Sequence, residues 1–295
     1  MKKKKRPFLA VLAPALLIAA ALIAGYALLL RSDWGDSRHR PGTGRPPVHD
    51  REAARDGASA PHGQTQAQKG VKTATRGPRV ALIIDDLGYH RDVDLQLIGL
   101  DIPLSVAILP SAPFTDIVAQ AAARQGRDIL LHQPMEPKDY PCVEPGPGAL
   151  LLSMDEKQLT EILRRNLSQI PGVRGMNNHM GSSFTENREK MSVVLWELRR
   201  QGLFYVDSRT TNGTVGLEEA KKIGLPAAQR TIFLDNNPDP EAIYTQIGHL
   251  LRVATRSGFA IGIGHPYPQT LGILRQYQHS LGNDVAIVPV SDLVR

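Results

Sequence analysis

Cysteine is almost missing from this chain. Its 295 residues hold one, Cys142, so no disulfide can form within it. A basic surplus is missing where it would matter most. Residues 1–79 carry 15 Lys and Arg against 5 Asp and Glu, whereas residues 80–295 carry 20 against 24. The part able to fold is therefore mildly acidic, which argues against a nucleic-acid groove. Large apolar side chains are almost absent from residues 31–78. Such a stretch cannot bury enough surface to offset its ordering entropy, so a disordered linker is expected there, ahead of a domain over 79–295. Its basic character suits contact with anionic lipid headgroups, though a plain solvated linker is the simpler role. Repeats and low-complexity tracts are absent after residue 80.

Charge is absent from residues 7–30, PFLAVLAPALLIAAALIAGYALLL. These 24 residues exceed the roughly 20 that a helix needs to cross a bilayer. Residues 2–6 ahead of them are Lys-Lys-Lys-Lys-Arg, a basic tail over 1–6 that favours a cytoplasmic N-terminus. The expectation is a single-pass anchor in the inner (cytoplasmic) membrane with an exported, periplasmic C-terminal domain. A cleaved signal peptide is the alternative, but the run is long and has no convincing Ala-x-Ala site.

What is present after residue 79 is a series of short apolar runs at the spacing of β-α units. They are VALIID (80–85), LSVAILP (104–110), DILLHQ (128–133), GVRGMNN (172–178), LFYVDS (203–208), RTIFLD (230–235), FAIGIGH (259–265) and DVAIVPV (284–290). Helical stretches separate them, including 153–170, 186–202 and 240–258. In the first of these, Ser153 followed by Glu156 reads as a capping box. Alternating strands and helices imply parallel pairing with right-handed crossovers. Seven to eight parallel strands fit a (β/α) barrel, with an open doubly wound sheet as the alternative. Trp196 reads as core, and His249 as a partly buried helix residue.

Polar residues stand where these strands finish: Asp85-Asp86, His132, Asn177-Asn178-His179, Asp207-Ser208, Asp235-Asn236 and His265. The C-terminal face of such a barrel is where active sites lie. Carboxylates and imidazoles converging there suggest a divalent metal, zinc being suited to His nitrogen and Asp oxygen. One aspartate would bind the ion and its neighbour would take a proton from water. Successive strand residues point to opposite faces. Both aspartates can therefore serve one site only if the strand ends near Asp85 and the chain turns, as Gly88 would allow. Asp85 as a simple capping residue is the alternative.

The set IIDDLG, HQPMEP, NNHMGS and VDSRT resembles the divergent branch of the polysaccharide deacetylases, a carbohydrate esterase superfamily, over residues 80–295. The resemblance implies a deacetylase-like barrel and metal-dependent removal of acetyl groups from an acetylated envelope glycan. It makes Asp85 the catalytic base, Asp86 and His132 metal ligands, and His265 the general acid. Where the family has a second motif histidine, this chain has Glu136. His179 is therefore preferred as third ligand, with Glu136 as an alternative or as a partner of His132. The family's fourth-strand arginine is absent; backbone N–H groups of Met180 and Gly181 would serve as oxyanion donors. Pro266 follows His265 where the family has a carboxylate, which leaves that histidine without an expected partner. Asp207, Ser208 and Asn178 are candidates for orienting either histidine. No partner protein is indicated. These departures leave open a catalytically silent glycan-binding or scaffolding module, or another metal-dependent amide or ester hydrolysis.

Overall fold

The apolar run that begins at Val80 forms the middle of a parallel sheet. The computed structural model of the chain describes residues 77–278 and 285–295. In it β1 (Arg79–Leu87) is buried on both faces, as expected of a parallel strand covered from both sides. The sheet continues with β2 (Ser105–Ile108), β3 (Asp128–Met135), β4 (Val173–Met180), β5 (Phe204–Asp207), β6 (Ala227–Gln229), β7 (Ile232–Phe233), β8 (Phe259–Gly264) and β9 (Ala286–Ile287). Its order is β6-β5-β4-β3-β2-β1-β8-β7, with β9 beside β1. Every pairing is parallel. Among the described residues β6 and β7 do not pair, so the sheet is a curled half-barrel rather than a closed ring.

Alternation along β1 sorts the core into two layers. Leu82 and Ile84 point outward and pack with helix residues such as Leu97, Leu163, Leu198 and Leu250. Ala81 and Ile83 point inward and meet Ala107, Leu130, Val206, Ile261 and Ile263. The C-terminal segment plugs the N-terminal ends of the strands. Val290 and Leu293 join the inner layer. Val290 N donates to Ser105 Oγ at 2.9 Å, and Ser291 N to Asp128 Oδ2 at 2.8 Å. With that end sealed, the C-terminal ends of the strands are left to carry a site.

The outer layer holds α1 (Arg91–Ile98), α2 (Thr115–Arg124), α3 (Glu156–Ser168), α4 (Arg188–Arg200), α5 (Gly216–Lys222), α6 (Pro240–Ser257) and α7 (Pro268–Tyr277). The capping box of α3 is built by Asp155 and Gln158, not Ser153 and Glu156. Both pairs match the pattern, and the later one places Leu159 and Leu163 on the buried face. Helices α5 and α7 and strand β6 go beyond the elements read from the sequence, being short with little apolar periodicity. Trp196 is a correction: it is 47% exposed under the Arg199 guanidinium, because Met191, Val194, Leu195 and Leu198 take the inward face of α4. His249 is likewise exposed on α6. Among the described residues no helix is long and apolar enough to cross a membrane. The expected basic tail and anchor, and the linker up to residue 76, lie outside them.

Candidate metal centre

Two adjacent aspartates serve one site because β1 bulges. Ile84 pairs with Val106 but Leu87 with Ile108, so one extra residue is accommodated on β1. Asp86 takes that place with φ 59°, a left-handed conformation that non-glycine residues adopt at a cost of about 1 kcal/mol. The strand therefore does not end at Asp85, as the alternation rule suggested. It runs on to Leu87, which returns to the core. Gly88 follows with φ 120°, and a Cβ there would lie 2.8 Å from the Ala112 Cβ.

Strand register brings in the histidines. His132 lies opposite Asn177 and Pro134 opposite His179, so His132, Asn177 and His179 share the inner face. Asp86 Oδ1 stands 3.0 Å from His132 Nε2 and 2.8 Å from His179 Nδ1. The two nitrogens are 3.2 Å apart. One ligand atom from each of the three residues falls within 4.8 Å of the others. Asp86 Oδ1 is buried, and its short contacts are not aligned as hydrogen bonds. One carboxylate oxygen and two imidazole nitrogens gathered this closely match the donor set of a divalent ion.

Behind these groups runs a hydrogen-bond relay. His132 Nδ1 donates to Asn177 Oδ1 at 2.8 Å, and Asn177 Nδ2 donates to Asp85 Oδ1 at 2.7 Å and to Ser208 Oγ at 3.2 Å. With one proton held on Nδ1, the second, on Nε2, is the one whose loss would open a lone pair toward the cluster. Asp85 is 2% exposed, and its Oδ2 lies 3.7 Å from His132 Nε2. Asn177 thus links the base candidate to a ligand candidate. In the sequence it is only a strand-end residue, because its role depends on the β3–β4 register.

His265 does have a carboxylate partner, contrary to the sequence reading. Phe233 pairs with Ile263, which carries Asp235 alongside the end of β8. His265 Nδ1 donates to Asp235 Oδ1 at 2.8 Å, and its backbone N–H to Oδ2 at 2.6 Å. Thr270 donates to the same Oδ2 at 2.7 Å. Phe233 stacks on the His265 ring at 5.9 Å, and the Arg230 guanidinium lies 3.6 Å over Phe233. In the sequence Asp235 is a strand-end aspartate 30 residues from His265, and only the β7–β8 pairing makes it that histidine's partner.

Other candidates are placed elsewhere. The Glu136 carboxylate accepts the Leu152 N–H at 2.7 Å and is not in the cluster. The extended geometry of β3 up to Met135 turns it toward the following loop. Asp207 accepts Arg209 N–H and the Thr214 hydroxyl, so it holds the loop after β5 and orients neither histidine. Asn178 accepts from Ser208 N and donates to the Met180 carbonyl at 2.9 Å. It faces away from His132 by alternation and braces the turn after His179. Met180 and Gly181 are both left-handed there, with φ 52° and 82°.

The electrostatics divide the site. Burial works to raise the Asp86 pKa, but His132 and His179 outweigh it and hold the carboxyl well below the usual range. Burial also raises Asp85, against the pull of His132 and His265. Burial would lower His132, yet the Asp85 and Asp86 charges push it up to about 9. His265 is raised too, because Asp235 and Asp85 outweigh its burial.

A family model described as divergent polysaccharide deacetylase matches residues 82–294. An uncharacterized protein of Haemophilus influenzae is 35% identical over 217 residues, covering 74% of this chain and 77% of that protein. The uncharacterized protein YibQ of Escherichia coli is 32% identical over 216 residues, covering 73% and 67%. A crystal structure of an uncharacterized protein from Agrobacterium tumefaciens C58 matches with TM-score 0.72 at 27% identity, covering 75% of this chain and 91% of that one. The half-barrel, the motifs that meet at its open end and the match over nearly the whole domain agree: this chain belongs to the divergent polysaccharide deacetylase family.

Proposed function

We propose that the domain is a metal-dependent hydrolase that removes acetyl groups from a polysaccharide of the cell envelope. One observation carries this reading. Asp86, His132 and His179 converge on a point flanked by the buried carboxylate of Asp85 and by a carboxylate-backed histidine, His265. A divalent ion held by those three, zinc by its donor preferences, would supply a Lewis acid and an acidified water. Asp85 is fixed through Oδ1 by Asn177, which leaves Oδ2 to take the proton of the attacking water. The water oxygen bonds to the acyl carbon and the carbon–nitrogen bond breaks. His265, held through Nδ1, gives its proton from Nε2 to the departing amine. The N–H groups of Met180 and Gly181 are assigned to the developing oxyanion.

Among the described residues three such groups meet there, which would leave a position open as in catalytic zinc sites, whereas a purely structural site closes with four. That supports hydrolysis over a silent glycan-binding module. The envelope location rests on residues 1–30, read as an inner-membrane anchor with the domain on the periplasmic side. Acetate release from acetylated envelope glycans by the zinc-loaded full-length chain tests the reading. Release that falls about 10²- to 10⁴-fold in Asp85→Asn, with metal retained, is expected. Metal binding without acetate release from any glycan would favour the silent module.

A further inference from the structure

The half-barrel has one seam without a hydrogen-bond ladder. β6 pairs with β5 and β7 with β8, but among the described residues β6 and β7 do not pair with each other. Between Gln229, which ends β6, and Ile232, which begins β7, stand Arg230 and Thr231 alone. These two neighbours are held to opposite edges. Thr231 N donates to Ile261 O at 2.8 Å, and its Oγ1 accepts from Ile261 N at 3.0 Å. Arg230 is held to the other edge by three successive carbonyls. Its backbone N–H donates to Asp207 O at 2.9 Å, its Nε to Ser208 O at 2.6 Å and its Nη2 to Arg209 O at 2.8 Å.

The same guanidinium reaches back across the seam. It lies 3.6 Å over the centre of the Phe233 ring. Phe233 stacks in turn on His265, with ring centroids 5.9 Å apart and planes 29° apart. Arginine can do both, because its planar group donates along an edge and stacks through a face. Burial lowers its pKa to about 10, so it stays charged at neutral pH. Edge and face serve different halves of the chemistry. The edge holds the carbonyl of Ser208, whose Oγ accepts from Asn177, and Asn177 holds Asp85. The face holds Phe233, the wall against which His265 is set. Asp235 fixes Nδ1 of His265, but one ring hydrogen bond still allows the imidazole to tilt about it. A stacked ring that is itself clamped removes that freedom.

We propose that Arg230 is a positioning residue for proton transfer. It clamps Phe233 against His265, and it ties that histidine to the strand end that supports Asp85 through Ser208 and Asn177. This rests on the hydrolase reading above and adds a residue to its machinery. No bond is made or broken at Arg230 itself; its effect on the reaction passes through Phe233.

Two readouts test it, one of them independent of turnover. The zinc-loaded full-length chain, isotopically labelled at histidine, is compared by NMR as wild type and as Arg230→Lys. Lysine keeps the charge and can still donate to a carbonyl, but it has no planar face for Phe233. The His265 ring signals are expected to shift and broaden, while those of His132 and His179 stay in place. Unchanged His265 signals overturn the proposal. With an acetylated glycan oligomer, kcat should fall about 10- to 100-fold in Arg230→Lys, with KM and zinc content unchanged. Phe233→Leu, which leaves the carbonyl bonds of Arg230 intact, should cost about as much. The double variant should lose no more than either single one, because both act through one contact. Losses that multiply overturn the proposal in favour of a merely structural arginine. Acetate release by the wild type with kcat unchanged in Arg230→Lys discards the positioning role and keeps the hydrolase. The expected NMR response without acetate release from the wild type discards the hydrolase and keeps Arg230 as the clamp on His265.

Discussion

Two histidines meet the site from opposite sides of β1, and they differ in what stands behind them. His132 rests its Nδ1 on the neutral amide of Asn177, while His265 rests its Nδ1 on the carboxylate of Asp235. An amide oxygen accepts the hydrogen bond from Nδ1–H and fixes the tautomer without adding charge. A carboxylate does the same and also stabilises the imidazolium. The first backing suits a ligand, which must give up its second proton to bind an ion. The second suits an acid, which must keep that proton until the leaving group needs it. Asp85 lies between the two and lends its charge to both.

Exchanging or removing the backings breaks this division. Asn177→Leu takes away the acceptor behind His132 and the donor to Asp85 together. Metal affinity should fall about 10- to 100-fold, measured by competition with a chelating dye, with a further loss in turnover. Asp235→Asn gives His265 the same kind of backing as His132. The His265 pKa is raised in the native protein, so the protonated acid persists to higher pH. Losing the carboxylate lowers that pKa. The alkaline limb of kcat/KM should therefore move down by about one pH unit. An unmoved limb would assign the proton to another group.

Metal loading carries its own pH signature. In the metal-free protein His132 titrates near 9, so at neutral pH it holds a proton that ligation must expel. Calorimetry in buffers of different ionisation enthalpy should show proton release on zinc uptake, and apparent affinity should rise with pH up to about 9. Without metal the sign reverses. A His132 pKa above its unfolded value contributes stability that is full below pH 6.5 and is lost as pH rises through about 9. Thermal unfolding of the metal-free chain across that range checks it. The smallest effect is expected at Glu136. Glu136→Gln should keep the metal and lose only about 1 kcal/mol of stability, from the weakened bond to Leu152 N–H.

The candidate ligand residues were legible because they sit toward strand ends in a parallel sheet, where every C-terminal end faces one way. Asp85 and Asp86 close the apolar run of β1, and His132 and His179 stand toward the ends of β3 and β4. The second layer was not legible. Asn177 behind His132 follows from the β3–β4 register, and Asp235 behind His265 from the β7–β8 register. No local pattern encodes either register. The bulge at Asp86 defeated the simple alternation rule for the same reason, since it is defined by what β2 does opposite. Glu136 looked like a ligand from its spacing in a motif, yet its carboxylate is claimed by the backbone of a loop 16 residues away.

Metal content of the full-length chain, purified without a metal-binding tag, decides whether Asp86, His132 and His179 act as one ligand set. About one zinc or similar ion per chain is expected in the wild type. It should be lost in both His132→Ala and His179→Ala and retained in Glu136→Gln. A metal-free wild type, or an ion that survives His179→Ala, would contradict the convergence of these three side chains on a single site.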